Sequence, residues 1–321
     1  MGYLFCVICS ILGLAVSVSH QNISIERNNT EVLPNNHSLG INGTKYFFLS
    51  DLSGNVIILD ANTNEKIISY KLPEIEHGIA AIVDDTFYNI DTLNGTIWST
   101  SLQSIMSGPS YINWANVGSF PSESSWIRNS AAVNGTLIYF VTHMGNFYLF
   151  NTISKTTTKL GTLRPYDTYA SLLIVDKAVY IHKFNIFYKF DGNNLNIITT
   201  PNEKHDSGLF QLRNYVCRAG GNITDVYPDP VTCYDPVSNT WSDENYINEA
   251  RWCVGIAATE SNTWIFGGLV VYAEGNTSIL WRVSIEVLNH ETNTWSSVPT
   301  PLVEGQYYIQ ATYFTFNNKS H

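Results

Sequence analysis

The sequence predicts an all-β domain whose short strands form four-stranded blades set in a ring, a β-propeller. Two internal copies carry that expectation. Cys233-Tyr234-Asp235-Pro236-Val237-Ser238-Asn239-Thr240-Trp241 matches Val287-Leu288-Asn289-His290-Glu291-Thr292-Asn293-Thr294-Trp295: an apolar strand end, a polar turn, then a Trp opening the next strand. Each follows an apolar run closed by paired glycines, Gly220-Gly221 and Gly267-Gly268. Composition agrees, because 13% of residues are aromatic and Asn and Thr recur in short turns, a mixture that favours strands over helices.

From the N-terminus, the first element is a leader. Met1 to His20 contains no Asp, Glu, Lys or Arg, and its apolar stretch runs from Tyr3 to about Val18. That is short for a bilayer span and fits a signal-peptide core, with Ser17 and Ser19 at the small positions before a cleavage site. The boundaries are residues 1–19 for the signal peptide and 20–321 for a single propeller domain. An uncleaved anchor is the alternative, since no Lys or Arg precedes the apolar run.

The repeat follows. Innermost-strand candidates recur at Ser38–Ile41, Gly78–Ala81, Ser130–Val133, Ala170–Leu173, Leu209–Leu212 and Val254–Ala257. Their spacing is roughly 40 to 50 residues, the period of one blade. Third strands with their turns read at Ile57–Asn64, Tyr148–Asn151 and Tyr188–Asp191. One such sheet cannot bury both faces alone, but a ring of them can. For closure, Asn22–Glu26 and Thr30–Pro34 read as the outer half of a blade, and Tyr307–Phe314 as its inner strand. Six internal copies plus this split blade give seven blades, with six as the alternative. An insert from Ser101 to Tyr111 interrupts the second copy before Trp114.

The order of diglycine, Tyr-Asp-like strand end, polar turn and Trp resembles the kelch repeat. The two good copies cover about a third of the chain, and the earlier copies lack the diglycine. The resemblance places Trp241 and Trp295 as structural repeat residues. It also implies that the connections into each innermost strand line one mouth of the ring, where partners bind. Here those connections carry His77, Trp126, Arg128, Arg164, Tyr166, Tyr169, His205, Arg251, Trp252 and Tyr307. Trp, Tyr and Arg are the types enriched at binding hot spots, and they also suit sugar recognition. Large aromatics equally fill the gaps between blades.

Charge and cysteine usage narrow the function. The formal net charge is −10 with no basic block, which argues against nucleic acid as a partner. Sequons stand at Asn22, Asn28, Asn36, Asn42, Asn94, Asn134, Asn222, Asn276 and Asn318, as expected for an exported glycoprotein. After cleavage, Cys217, Cys233 and Cys253 remain. In an oxidising compartment Cys217 pairs with Cys233 on the neighbouring strand, or with Cys253 across blades. No local metal spacing appears among His37, His77, His143, His182, His205, His290 and His321, and neither a metal nor another cofactor is expected. Nor does a Gly-x-Ser-x-Gly or Cys-His-Asn set support nucleophilic catalysis.

The expectation is therefore a secreted glycoprotein, an extracellular propeller that binds a protein or a carbohydrate. The first alternative is an exported enzyme of the kelch fold, because that superfamily includes secreted sugar mutarotases and the copper enzyme galactose oxidase. The crosslinked Tyr–Cys and Tyr/His copper ligands of galactose oxidase do not map onto this sequence. A structural coat or matrix glycoprotein is the second alternative.

Overall fold

The computed structural model describes residues 43–316, apart from 52–53, 73–77, 124–129, 165–168, 202–203, 222–228, 253, 273–277, 282–283, 300–301 and 303–309. The predicted leader, the strands expected at 22–34 and the first innermost strand expected at 38–41 lie outside the described residues. Six four-stranded antiparallel sheets account for the described fold, with one added two-stranded hairpin.

The first blade holds β1 (Thr44–Ser50), β2 (Asn55–Asp60) and β3 (Lys66–Lys71). The second holds β4 (Gly78–Val83), β5 (Thr86–Asp91), β6 (Thr96–Ser101) and β7 (Ala115–Ser119). The third runs through β8 (Ala131–Asn134), β9 (Leu137–Val141), β10 (Asn146–Asn151) and β11 (Thr156–Thr162). The fourth has β12 (Ala170–Val175), β13 (Ala178–Lys183), β14 (Ile186–Phe190) and β15 (Leu195–Ile198). The fifth has β16 (Gly208–Leu212), β17 (Tyr215–Ala219), β18 (Asp229–Asp235) and β19 (Thr240–Ile247). In the sixth, β20 (Gly255–Ala258) and β21 (Asn262–Phe266) are separated from β24 (Ile285–Asn289) and β25 (Thr294–Val298) by the hairpin β22 (Leu269–Tyr272) and β23 (Ser278–Trp281). The insert in the second blade is a short helix, α1 (Leu102–Ser107), capped by the Ser101 hydroxyl and burying Leu102 and Ile105.

The blade count corrects the expectation of seven. The last strand, β26 (Gln310–Phe316), does not found a seventh blade with the N-terminal segment. It pairs antiparallel with β1 from Thr44↔Phe316 to Ser50↔Gln310 and becomes the innermost strand of the first blade. The repeat pattern assigns the first copy an innermost strand of its own, but β26 fills that place, so the first copy and the closing blade are one. The six-blade alternative is the one observed. The innermost strands β26, β4, β8, β12, β16 and β20 adjoin in that order, and β20 adjoins β26, so the ring is closed.

Packing follows from alternation along buried strands. Tyr180 and Phe187 of the fourth blade share a core with Val216, Cys217, Cys233 and Tyr234 of the fifth. Phe47 of the first blade lies 4.8 Å from Trp264 and 5.3 Å from Phe266 of the sixth, across the closure. Burying one such ring contributes about 1.5–3 kcal/mol. The innermost strands are also stitched by side chains. Gln310 accepts from Ala80 N at 3.0 Å and donates to its carbonyl at 2.7 Å. Ser130 Oγ accepts from Leu172 N at 2.8 Å, and Ser171 Oγ from Leu209 N at 3.0 Å. These bonds satisfy backbone groups that an innermost edge would otherwise leave open.

The polar turns of the repeat share one design. The first Asx side chain accepts backbone N–H groups two and three residues on, as Asp60 does from Asn62 and Thr63, Asn151 from Ile153 and Ser154, and Asn289 from Glu291 and Thr292. The fifth residue is then left-handed: Asn64 φ 59°, Lys155 φ 56°, Asn239 φ 58° and Asn293 φ 54°. Short polar side chains suit both tasks. Trp241 and Trp295 open the strands that follow. Trp241 Nε1 donates to Thr199 O and Trp295 Nε1 to Asn245 Oδ1, each fastening its blade to the preceding one. Cys217 and Cys233 face each other across β17 and β18 and form the expected disulfide. Cys253 lies outside the described residues.

Candidate binding face at the loop end of the ring

Strand direction gives the ring two different ends. At one end the first strand of each blade begins, the second ends, the third begins and the fourth ends. The connections between blades lie here, and this is the predicted mouth. The opposite end carries the turns joining first to second and third to fourth strands.

Charge is distributed unequally between these ends. Every buried charged side chain among the described residues lies at the loop end: Asp51, Glu123, Lys183, Lys204, Asp206, Arg218, Asp229, Arg251 and Glu286. Charges at the turn end, such as Asp84, Asp85, Asp176, Arg213, Asp191 and Glu291, are exposed. Buried charges are rare unless paired. Three of these act as pegs that fix a connection to the blade it enters. Glu123 Oε1 accepts from Thr142 Oγ1 at 2.7 Å and Asn146 Nδ2 at 2.6 Å, and Oε2 accepts from Met144 N at 3.0 Å. Lys204 Nζ reaches Asp229 Oδ1 at 2.8 Å and also donates to the Pro230 carbonyl. Arg251 donates to Glu286 Oε1 at 2.6 Å, Glu249 Oε2 at 2.9 Å, and the carbonyls of Gly267 and Ser284 at 3.0 and 3.2 Å.

The diglycines serve the same end. Gly220 and Gly221 have φ of 73° and 83°, conformations that suit glycine. A Cβ on Gly221 would lie 2.3 Å from the His205 carbonyl, and one on Gly220 would lie 2.5 Å from the Arg251 carbonyl. The backbone therefore comes close enough for Gly221 N to donate to Arg251 O at 2.9 Å and for His205 N to donate to Gly221 O at 2.8 Å.

Between the fourth and fifth blades Lys204 and Asp229 sit beside a larger cluster of buried polar groups. His182 Nδ1 pairs with Ser207 Oγ at 2.8 Å, while its Nε2 is buried without a hydrogen-bond partner. Burial and the neighbouring Arg218 guanidinium hold the His182 pKa well below its ordinary value. Burial pushes the Asp206 carboxyl up to about 7, against the pull of Lys183, and Asp206 Oδ1 has no hydrogen-bond partner. Burial pulls Arg218 down to about 10 while Asp229 and Asp243 oppose it; the guanidinium lies 4.9 Å from the centre of the Trp241 ring. The buried pair Lys204–Asp229 is moved by burial toward neutrality on both sides, Lys204 down and Asp229 up.

Of the residues predicted for the mouth, the structure describes Tyr169, Arg251 and Trp252, together with Arg164 and His205. Arg251 and Trp252 are adjacent at the loop end, but both are buried, at 1% and 4% exposure, and Tyr169 is buried at 2%. Arg251 is engaged by its carboxylates, and Trp252 exchanges backbone hydrogen bonds with Leu269 at 3.0 and 2.8 Å. His205 packs on the Phe184 ring at 4.1 Å, and the backbone of Arg164 bonds the Tyr188 hydroxyl. His77, Trp126, Arg128, Tyr166 and Tyr307 lie outside the described residues. Sequence reasoning missed Glu123, Lys204, Asp206, Arg218, Asp229 and Glu286. Their only sequence signal is a charge placed at a strand end or in a connection, where solvent exposure is the usual outcome.

Among the described residues no three His, Cys, Asp or Glu side chains converge as metal ligands, and no helix is long and apolar enough to cross a membrane. No family model matches the sequence, and the search of curated proteins finds no match. Among solved structures the chain is similar to one from the crystal structure of a nidogen/laminin complex. That likeness has a TM-score of 0.58 at 12% identity and covers 85% of this chain and 99% of that one. It concerns the fold, and the class defined is a six-bladed β-propeller module.

Proposed function

We propose that the chain is an exported propeller of kelch type that binds an extracellular protein through its loop end. The observation carrying this reading is the confinement of buried charge to that end among the described residues, where Glu123, Lys204 and Arg251 each tie one point of a connection to the blade it enters. Rigid loops lose less conformational entropy when a partner docks, so more of the contact energy appears as affinity. Perturbed, buried ionisable groups also concentrate at functional ends of proteins. The disulfide supports an oxidising compartment. The similar propeller comes from a complex of two proteins, which favours a protein over a glycan partner. The contact residues in this reading are His77, Trp126, Arg128, Tyr166 and Tyr307 on the connections. Tyr169, Arg251 and Trp252 are buried and serve as support in this reading.

The test is a binding screen of the secreted full-length chain against extracellular proteins, with a glycan array and metal analysis alongside. A saturable protein partner is expected, with Trp126→Ala and Tyr307→Ala each weakening it at least tenfold, as for interface hot spots. Val237→Ala at the turn end leaves binding unchanged. Glycan-only binding, stoichiometric copper, or equal sensitivity at the two ends overturns the reading.

A further inference from the structure

Nine sequons are present, and Asn94 and Asn134 are the two on described residues. Both belong to Asn-Gly-Thr triplets that lead directly into a strand, β6 and β9 respectively. Asn94 is the exposed fourth residue of the turn Asp91–Gly95. Asp91 Oδ1 accepts its N–H at 3.0 Å, and its amide Nδ2 donates to Asp91 Oδ2 at 2.6 Å. Gly95, with φ 67°, packs tightly inward, since a Cβ there would lie 2.2 Å from the Phe120 carbonyl. The turn is thus fixed from within while Asn94 faces out. Asn134 ends β8 in the hairpin to β9, and Gly135 beside it looks into open space, where a Cβ would meet no atom within 4 Å. Thr152 anchors this turn by donating its N–H and hydroxyl to the Thr136 carbonyl at 2.9 and 3.0 Å.

We infer that Asn94 and Asn134 both carry N-linked glycans in the secreted protein, one at the loop end of the second blade and one at the turn end of the third. This rests on the export reading. In the transfer, the side-chain amide nitrogen bonds to C1 of a pyrophosphate-activated oligosaccharide. The bond from C1 to the pyrophosphate oxygen breaks, the pyrophosphate carrier leaves, and the amide gives up one proton. Transfer precedes completion of the fold, so the fold acts as a filter: an acceptor can be kept only where the finished structure leaves room for a bulky, hydrated group. Both positions pass. After transfer the backbone N–H of Asn94 still donates to Asp91 Oδ1, so the turn keeps that bond. Asn239 and Asn293 occupy equally well-formed turns but lack a Ser or Thr two residues on, so they serve as internal controls. The buried Asn89 carries no sequon either.

The chain is expressed with its own leader in a eukaryotic secretory host and purified from the medium. It is treated with a peptide N-glycosidase beside an untreated sample, and peptide mass spectrometry reads the enzyme-dependent Asn→Asp conversion at each position, so that spontaneous Asn-Gly deamidation is subtracted. Near-complete conversion at Asn94 and Asn134, with none at Asn239 or Asn293, is the expected result. N94Q and N134Q should each remove one glycan's step in gel mobility while secretion continues. A secreted chain converted at other sequons but not at both of these overturns the inference and leaves the export reading standing. A chain that is retained in the cell, or secreted without any glycan, overturns both.

Discussion

Glu286→Ala tests whether the connection entering the sixth blade is held by its buried charge network. Glu286 is fully buried and accepts four bonds: from Arg251 at 2.6 Å, Asn248 N at 2.8 Å, Asn248 Nδ2 at 2.7 Å and Glu249 N at 3.2 Å. Removing one partner of a buried ion pair typically costs about 3–5 kcal/mol, because the other charge stays buried. Arg251 would still hold Glu249, whose side chain is 32% exposed, so the lower part of that range applies. About 3 kcal/mol should lower the melting temperature by about 6–12 °C in a domain of this size. Arg251→Met alone should be comparably damaging, because it strands Glu286 and the carbonyls of Gly267 and Ser284. The double variant Arg251→Met/Glu286→Ala should then be less unstable than the sum by about 1–3 kcal/mol. Calorimetric or circular-dichroism melting measures all four proteins. A loss below about 1 kcal/mol for Glu286→Ala, or additivity within about 0.5 kcal/mol, refutes the peg.

Four further outcomes are expected. The His182 pKa is lowered in the fold, so its contribution is present above the unfolded value near 6.5 and is lost as pH falls below it. Asp206 is raised to about 7, so its contribution is full below its ordinary carboxylate pKa and lost as pH rises through about 7. Asp206→Asn should therefore raise the melting temperature more at pH 8 than at pH 5, and an equal shift at both would refute the assignment. Replacing Cys217 and Cys233 by Ala should cost about 2–4 kcal/mol by freeing a 16-residue separation in the unfolded chain, read as a lower denaturation midpoint. Deleting residues from Gln310 onward removes β26 and opens the ring, so no cooperative melt should remain; Gln310→Ala, which loses only the paired bonds to Ala80, should melt cooperatively but about 1–3 kcal/mol less stable.

The fold was legible wherever a residue does its job locally. The turn at Asp235–Asn239 needs an Asx acceptor and a left-handed fifth residue, and both requirements are written within five positions. The diglycines likewise announce close backbone approach, and the Cys217–Cys233 pair follows from two neighbouring strands. Closure was not legible in the same way. Whether Gln310–Phe316 completes an existing blade or starts a new one depends on its pairing with Thr44–Ser50 at the far end of the chain, and neither segment states its partner. At the loop end, the sequence shows chemistry-bearing types but not their exposure. Arg251 reads as a hot-spot residue in sequence, yet Glu286, far along the chain on β24, draws it inside.

That inversion changes what the loop end implies. A charge at a strand end is usually solvated, and burying it is costly. The turn end shows that this propeller can join strands without fully buried charge, since its Asx turns rely on short local bonds and their carboxylates are half-buried or exposed. Connections between blades have no such local solution, because each must be located against a blade whose strands are distant in sequence. Glu123, Lys204 and Arg251 solve this differently, with a carboxylate, an ammonium and a guanidinium, yet each reaches a group on the third strand of the blade its connection enters. Three chemistries with one geometric result point to loop position as the property held in common. Loop position held by buried groups leaves the rest of each connection free to vary in sequence, which is what the proposed recognition of a partner requires.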